Sequence, residues 1–507
     1  MKNKILLLIT LFIGSFLILY GVNYDLPYIS HPDEPTNFEI SRRMFAYGTL
    51  NPYFFQYPSL SFYLNFLAIG PYYLIGKLFG TLSSTYDIQS LIYLEMGSVK
   101  TNQPNLFLLT RSISVCFGLG CIALSYLIPD KLKKYNIISF YSSVAVACCP
   151  TIVTLSRTIT PDIFATFFIL LSIYMSIHLL EDGRVRNYIL AGLFVGFAAS
   201  CKYNAVLVGI TIPIAHFLRV GIKGWKDLNL FKAALFSLIG FLITTPYAYK
   251  ERTLFLFQLQ YEATHYSTGH PGMEGNTLLW YLNYLWENLN FLFVFALLQI
   301  GIGWYRKDKG TILFSSFFIL YFGFISTFVV RNDRTILPAI PPILILSGFF
   351  FETVFNWSLN SFSKIPKISK WALHALPFLF VLPLIFNSIV IDRGLYNLYA
   401  KKEAIEWIPK NIPEGSKIAL ERYSPFINPE KYSISALSRL IENDPEWYIK
   451  NRFEFIIASK SSYERYYKDQ NRYRKEIQKY DEIFKTFILY KTFIDEKDEI
   501  RIYRVQK

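Results

Sequence analysis

Two adjacent acids set between prolines, His31-Pro32-Asp33-Glu34-Pro35, are the residues of this sequence best suited to acid–base chemistry. Proline fixes its own φ and turns the residue before it away from the helical region, so this stretch is extended and non-helical. A third acid, Asp162, follows Arg157 in Ser156-Arg157-Thr158-Ile159-Thr160-Pro161-Asp162. Arg111, Lys202, Arg331 and Arg334 are the cations that could face these acids. A carboxylate that takes a proton, beside cations that stabilise a developing phosphate charge, suits a reaction whose leaving group is a lipid phosphate. Glycosyl transfer from a lipid-linked sugar is such a reaction.

Each residue also has a plainer explanation. Asp33 could cap a helix over 36–47, with Glu34 favouring its positive end. Thr160-Pro161-Asp162 also reads as a helix start. A lone arginine at a membrane surface can simply snorkel to lipid headgroups. His265 and His270, in Glu262-Ala263-Thr264-His265-Tyr266-Ser267-Thr268-Gly269-His270-Pro271, offer imidazoles to a metal or an acceptor. That spacing with no third ligand is a weak metal signature, and neutral hydrogen bonding in a loop explains it as well.

The elements that must position these residues are membrane helices. Apolar residues make up 52% of the chain and charged residues only 17%, and they gather into uncharged runs such as Ile5–Val22, Ala233–Ala248, Thr311–Val330 and Trp371–Ile391, each near the length that crosses hydrocarbon. The net charge of +14 does not form one basic face, which argues against nucleic acid. Its lysines and arginines sit in short clusters between apolar runs: Lys2/Lys4, Lys131/Lys133/Lys134, Arg184/Arg186, Arg219/Lys223/Lys226, Arg306/Lys307/Lys309 and Lys364/Lys367/Lys370. The positive-inside rule allows all of them to be cytoplasmic at once. The expectation is a polytopic α-helical membrane protein with about eleven spans. Its N-terminus is cytoplasmic, its first run is retained rather than cleaved, and everything after Asp392 is extracytoplasmic. Leu60–Phe79 is expected to be re-entrant or surface-lying, because a span there would move the Lys131 cluster outside. The interruption at Lys202-Tyr203-Asn204 splits two short runs and marks a polar cavity below the outer surface. All five cysteines, Cys116, Cys121, Cys148, Cys149 and Cys201, lie within or at the end of apolar runs, which suggests neither disulfides nor a zinc site.

From residue 392 the composition changes. Tyr399–Lys410 reads as an amphipathic helix, Lys417–Glu421, Glu454–Ala458 and Ile500–Val505 as strands, and Ser461–Tyr480 as a polar helix. The division is a transmembrane domain over 1–391 and a small α/β domain over 392–507. The repeated Tyr, Arg and Lys of Tyr463–Tyr480 could meet an acidic lipid surface or a glycan, though a solvated helix face is the plainer explanation.

Several segments together resemble the GT-C glycosyltransferase superfamily, in its family-39-like branch of protein O-mannosyltransferases and lipid A aminoarabinose transferases. They are His31-Pro32-Asp33-Glu34, the stretch Asn51-Pro52-Tyr53-Phe54-Phe55-Gln56-Tyr57-Pro58-Ser59-Leu60, Arg111, Ser156-Arg157 through Pro161-Asp162, Gly196-Phe197-Ala198-Ala199-Ser200-Cys201-Lys202-Tyr203 and Arg334-Thr335-Ile336-Leu337-Pro338-Ala339-Ile340-Pro341-Pro342. The resemblance implies an inverting transfer on the outer face, from a polyprenyl-phosphate sugar to a hydroxyl of a glycan, lipid or protein. Asp33 would be the general base, Glu34 and Asp162 supporting acids, and Arg111, Lys202 and Arg331 or Arg334 holders of the donor phosphate. His31, Tyr57, Arg157, His265 and His270 are candidates to touch substrate. Thr335 stands where relatives often carry an aromatic, and no large sugar-binding insertion is present, which weakens the case for a protein acceptor. No cofactor is implied beyond an optional divalent cation at Asp33, Glu34 and a histidine. The composition, rich in Lys, Ile and Asn, fits a prokaryotic cytoplasmic membrane.

Two other classes fit the same helices. A lipid-linked glycan transporter or flippase predicts cavity charge on both sides and repeated halves, whereas the candidate charges gather on one side and no internal repeat is present. A non-catalytic scaffold would make the acids mere caps.

Overall fold

The computed structural model describes residues 2–93, 99–132, 134–361, 367–396, 399–495 and 498–505; Lys133 and Lys364 of the basic clusters fall outside them. Most of the described residues before 390 are helical. Among the described residues five stretches are long and apolar enough to cross a membrane: Pro104–Lys131, Pro161–Glu181, Tyr203–Val220, Asp333–Leu359 and one within Leu373–Asn411. The pair Thr277–Leu289 and Phe291–Tyr305 qualifies only together and is bent by 113°, at Asn290, whose φ of +51° lies in the left-handed region. Five shorter apolar helices stand beside them: Lys4–Tyr20, Asn136–Ala147, Val185–Ala199, Leu228–Thr244 and Lys309–Ile325. Leu60–Leu78 is one helix with Pro71 inside it, and it is not among those that qualify as spans.

The helices share one apolar core. At one pole of it the basic stretches converge on acids: Lys131 pairs with Glu181 at 2.5 Å, and Lys134 with Glu352 at 2.8 Å and with Asp308 at 3.9 Å. The candidate acids lie elsewhere, around the segment 31–35. A small antiparallel sheet frames that segment, formed by β1 (Tyr28–Ile29), β2 (Ile92–Tyr93) and β3 (Val99–Lys100) in the order β1-β3-β2.

The C-terminal residues form a five-stranded mixed sheet of β4 (Lys417–Leu420), β5 (Ser433–Ala436), β6 (Phe455–Ser459), β7 (Ile488–Ile494) and β8 (Glu499–Arg504), ordered β5-β4-β6-β8-β7. β4 runs parallel to β5 and β6, and β8 antiparallel to β6 and β7. Helix Tyr399–Asn411 places Ala400, Ala404 and Ile408, one helical turn apart, on one face. The expected polar helix 461–480 is instead two, Lys460–Tyr467 and Arg474–Thr486. Its tyrosines are not solvated: Tyr463, Tyr466, Tyr473 and Tyr480 are buried on the opposite face of the sheet. The two strands not foreseen, β5 and β7, are the sheet edges, where half-exposed residues blur the apolar pattern. The sheet docks on the first loop through Tyr28 and Phe426, ring centroids 5.7 Å apart.

Candidate active site

Asp33 and Glu34 are neighbours in sequence with separate fates. Asp33 stands at the N-cap position of helix Glu34–Ala46, but its side chain makes no capping bond. Only its backbone carbonyl serves the helix, accepting from the amide and side chain of Asn37. The Asp33 carboxylate turns instead to Arg334, with which it forms an ion pair. The amide of Asp33 donates to Nδ1 of His31 at 3.2 Å. Burial holds the His31 imidazole down to about 4, so it is neutral at any physiological pH and acts as an acceptor.

Glu34 points into the core. Arg111 grips it in a fork, Nε to Oε1 at 2.9 Å and Nη2 to Oε2 at 2.7 Å, and both side chains are fully buried. The amide of Ile159 donates to the same carboxylate at 2.9 Å and the Tyr24 hydroxyl at 3.2 Å. Burial alone would raise this acid, yet Arg111 and these donors keep it below the usual carboxylate range. The remaining nitrogen of Arg111 is spent on the carbonyls of Val22 and Tyr24. The optional cation site of Asp33, Glu34 and a histidine therefore does not assemble, since Glu34 is committed elsewhere. Among the described residues no group of three or more His, Cys, Asp or Glu side chains could hold a metal ion. Glu34→Gln should leave the Arg111 charge buried without its partner, a loss of about 3–5 kcal/mol; heating the variant in detergent should give early aggregation, and a melting curve like that of the unaltered protein would contradict this structural role.

The break after helix Val185–Ala199 carries Lys202. Ser200 ends the helix and exchanges hydrogen bonds with Thr244 and Thr245, and its carbonyl accepts from the amide of Leu60 at 3.0 Å. The strap Asn51–Leu60 thus satisfies the Ser200 carbonyl, and it is fixed further by Tyr203 donating to the Phe55 carbonyl at 2.8 Å and by Asn51 donating to Glu251 at 3.0 Å. Lys202 Nζ lies 2.6 Å from Asp162 Oδ1. Asp162 occupies the first turn of its helix, so it combines a helix-start position with an ion pair.

Two cavities meet at this strap. One, of about 470 Å³, has Lys202 at its polar end and Val206, Leu207, Leu259, Phe324 and Phe328 along it. The other, of about 610 Å³, is polar and holds His31, Asp33, His265, His270, Asn332 and Arg334. Tyr57, Glu262 and Tyr266 line both. The Asp33–Arg334 and Asp162–Lys202 pairs therefore flank a common wall.

Five expected site residues are not among those lining these cavities: Glu34 and Arg111, which pair with each other, Asp162, which pairs with Lys202, and Arg157 and Arg331. Arg157 is fully buried against Asp392 at 2.6 Å, tying the loop before Asp162 to helix Leu382–Tyr396. Arg331 donates to the carbonyls of Glu274 and Gly275 and so braces the turn after His270. Both were expected to touch substrate or phosphate; Arg331 turns to backbone carbonyls instead, Arg157 pairs with Asp392, and Arg111 is spent on Glu34 and two carbonyls.

A model of the family described as dolichyl-phosphate-mannose-protein mannosyltransferase matches residues 105–249, a stretch holding Arg111, Arg157, Asp162 and Lys202. No curated protein matches the sequence. The structure of ArnT from Cupriavidus metallidurans superposes with a TM-score of 0.54 at 12% identity, over 97% of both chains. The same protein bound to undecaprenyl phosphate gives 0.53 at 11%, over 98% of this chain and 97% of that one. AglB, the oligosaccharyltransferase of Archaeoglobus fulgidus, in complex with an inhibitory peptide and a dolichol-phosphate, gives 0.55 at 11%, over all of this chain and 74% of that one. The chain shares the fold of ArnT and AglB.

Within this fold, the lining adds residues not singled out in the sequence: Glu262, Tyr266, Asn332, Arg422 and Tyr423. His265, read in the sequence as part of a loop, lies on helix Arg252–Thr268, so Glu262, His265 and Tyr266, three and four residues apart, share one helix face. That spacing was the available signal. Arg422 and Tyr423 come from the C-terminal sheet, directly after β4, and no local pattern announces that they roof the cavity.

Proposed function

We propose that this membrane glycosyltransferase fold carries an inverting transfer of a sugar from a polyprenyl-phosphate donor to an acceptor hydroxyl. The observation that supports this most directly is the junction of an apolar groove ending at Lys202 with a polar cavity holding Asp33. A prenyl chain fits the groove, its phosphate meets the Lys202 ammonium, and the sugar lies across Tyr57, Glu262 and Tyr266 toward Asp33. Undecaprenyl phosphate and dolichol-phosphate in the ArnT and AglB structures are ligands of the chemistry this groove suits.

In the step itself the acceptor oxygen attacks C1 of the sugar from the Asp33 side, the C1–O bond to phosphate breaks on the Lys202 side, and the phosphate keeps the bonding electrons. The acceptor proton passes to Asp33. Attack and departure on opposite sides invert C1. Arg334 holds the Asp33 carboxylate in an ion pair, and Lys202 stabilises the charge that grows on phosphate. Glu34, Arg111, Arg157 and Arg331 serve as the frame that fixes Asp33, Asp162 and the His265–His270 turn. We assign residues 1–391 to the transmembrane catalytic part and 392–507 to an extracytoplasmic domain, with the N-terminus cytoplasmic and the site on the outer face of an inner membrane.

The test uses purified protein in lipid nanodiscs with polyprenyl-phosphate mannose and a panel of glycan acceptors, following release of free polyprenyl phosphate. Release that requires an acceptor supports the reading; a transporter or scaffold would release none with any acceptor of the panel.

Glu262 adds a pH dependence. Burial pushes its carboxyl up to about 7, against the pull of Lys202. Below that pH it is neutral; above it a negative charge faces the phosphate site and competes for the Lys202 ammonium. The Michaelis constant for the donor should therefore rise on the order of tenfold between pH 6 and 8, and Glu262→Gln should flatten the profile at its low-pH value. A profile unchanged by the substitution would remove Glu262 from donor binding.

A further inference from the structure

Behind the Asp33 cavity lies another, of about 310 Å³, at the seam between the helices and the C-terminal sheet. The two adjoin, because His265, His270, Arg422 and Tyr423 line both. Arg439 and Arg465 complete the second, and no Asp or Glu is among the described residues that line it. Three guanidinium groups around one small space repel one another unless an anion sits between them, and arginine's planar fork is suited to phosphate and carboxylate.

The protein's own contacts leave the capacity of Arg439 and Arg465 largely unspent. Arg439 reaches the Tyr466 hydroxyl only at 3.4 Å and Glu442 only at 3.9 Å, a half-exposed pair of little strength. Arg465 gives one nitrogen to the Ser461 carbonyl at 2.9 Å, while its Nε is shut from solvent with no hydrogen-bond partner. Its guanidinium lies 5.5 Å from the centre of the Tyr423 ring. Tyr423 has a φ of +67°, a conformation uncommon for a side-chain-bearing residue and most often retained where it serves a site. The preceding Glu421 anchors that turn, accepting from the amides of Leu440 and Ser459 at 3.1 Å and from Tyr480 at 2.7 Å.

We propose that this cavity binds a phosphate or carboxylate carried by the acceptor, so that the acceptor is an acidic saccharide with its reacting hydroxyl at Asp33 and its charge among Arg422, Arg439 and Arg465. This rests on the transfer reading above. It also gives the arginines of the tyrosine-rich stretch a role in recognition: Arg465 belongs to the acceptor cavity.

The experiment is ligand binding to the full-length protein in phosphatidylcholine nanodiscs, with glucose 6-phosphate and glucose as probes, followed by saturation-transfer NMR. Glucose 6-phosphate should bind and glucose should not. Arg439→Gln/Arg465→Gln should weaken the phosphorylated sugar at least tenfold, while Asp33→Asn should leave its binding intact. Equal binding of both sugars, or binding unaffected by the double substitution, overturns the proposal. So does displacement of glucose 6-phosphate by phosphatidylglycerol in the disc, which would make a lipid headgroup the occupant. Failure of the transfer reading is separate, since it appears as unchanged turnover in Asp33→Asn with anion binding intact.

Discussion

Asp33→Asn is expected to lower sugar transfer by about 10²–10⁴-fold, the range over which a positioned general base acts, with little change in thermal stability. The carboxylate is at the cavity wall, caps nothing with its side chain, and is partly exposed together with Arg334, each side chain at 22%. An amide of the same shape keeps the packing and one acceptor oxygen for Arg334, but it cannot take the proton of an attacking hydroxyl. The measurement is initial-rate release of polyprenyl phosphate beside the melting profile of each variant. Turnover near that of the unaltered protein would sink Asp33 as the base, and loss of folded protein would reduce it to a structural acid. Glu34→Gln supplies the contrast: its side chain is fully buried, so stability should fail first. Two adjacent carboxylates should thus separate cleanly into one that affects rate and one that affects folding.

This division was not legible in the sequence. The Pro-Asp-Glu-Pro stretch identifies both acids as needing partners, and Arg111 and Arg334 as able to be partners, but nothing local states which acid meets which arginine. The pairing is decided by the helix start. Successive residues there project about 100° apart, so Glu34 enters the core where Arg111 descends, and Asp33 faces the open space beside Arg334. Lys202 was more readable, because a lysine between two short apolar runs has few stable settings other than an ion pair at a polar cavity. Glu262 was recoverable from its spacing to His265 and Tyr266 once the segment is read as a helix. Its apolar content was too low to suggest a span, which drew the segment toward a loop. Arg422 and Tyr423 depend wholly on how the C-terminal sheet docks, a long-range packing event with no signature within either segment. The basic clusters were informative for another reason: charge near the ends of apolar runs is constrained by the membrane rather than by detailed packing, so Lys131 and Lys134 could be grouped before their partners Glu181, Asp308 and Glu352 were known.

Lys202→Gln is expected to have the other large effect, and its interpretation needs a second substitution. Lys202 is buried with Asp162 at 2.6 Å, so its removal alone leaves an acid uncompensated, at a cost of about 3–5 kcal/mol. Loss of activity in that variant would mix misfolding with chemistry. Asp162→Asn/Lys202→Gln removes both charges and keeps two groups able to hydrogen-bond, so the fold should be largely restored. Transfer should not be, because no ammonium then remains at the end of the apolar groove to receive the departing phosphate. Removing a preorganised charge from a developing anion costs on the order of 10²–10³ in rate, and the double variant should fall by that amount with a melting profile near that of the unaltered protein. Restored turnover in the double variant would reduce the pair to a structural clasp for the helix break. Persistent loss in a folded protein would leave donor phosphate as the partner that the Lys202 charge serves, with Asp162 holding the lysine in position between turnovers.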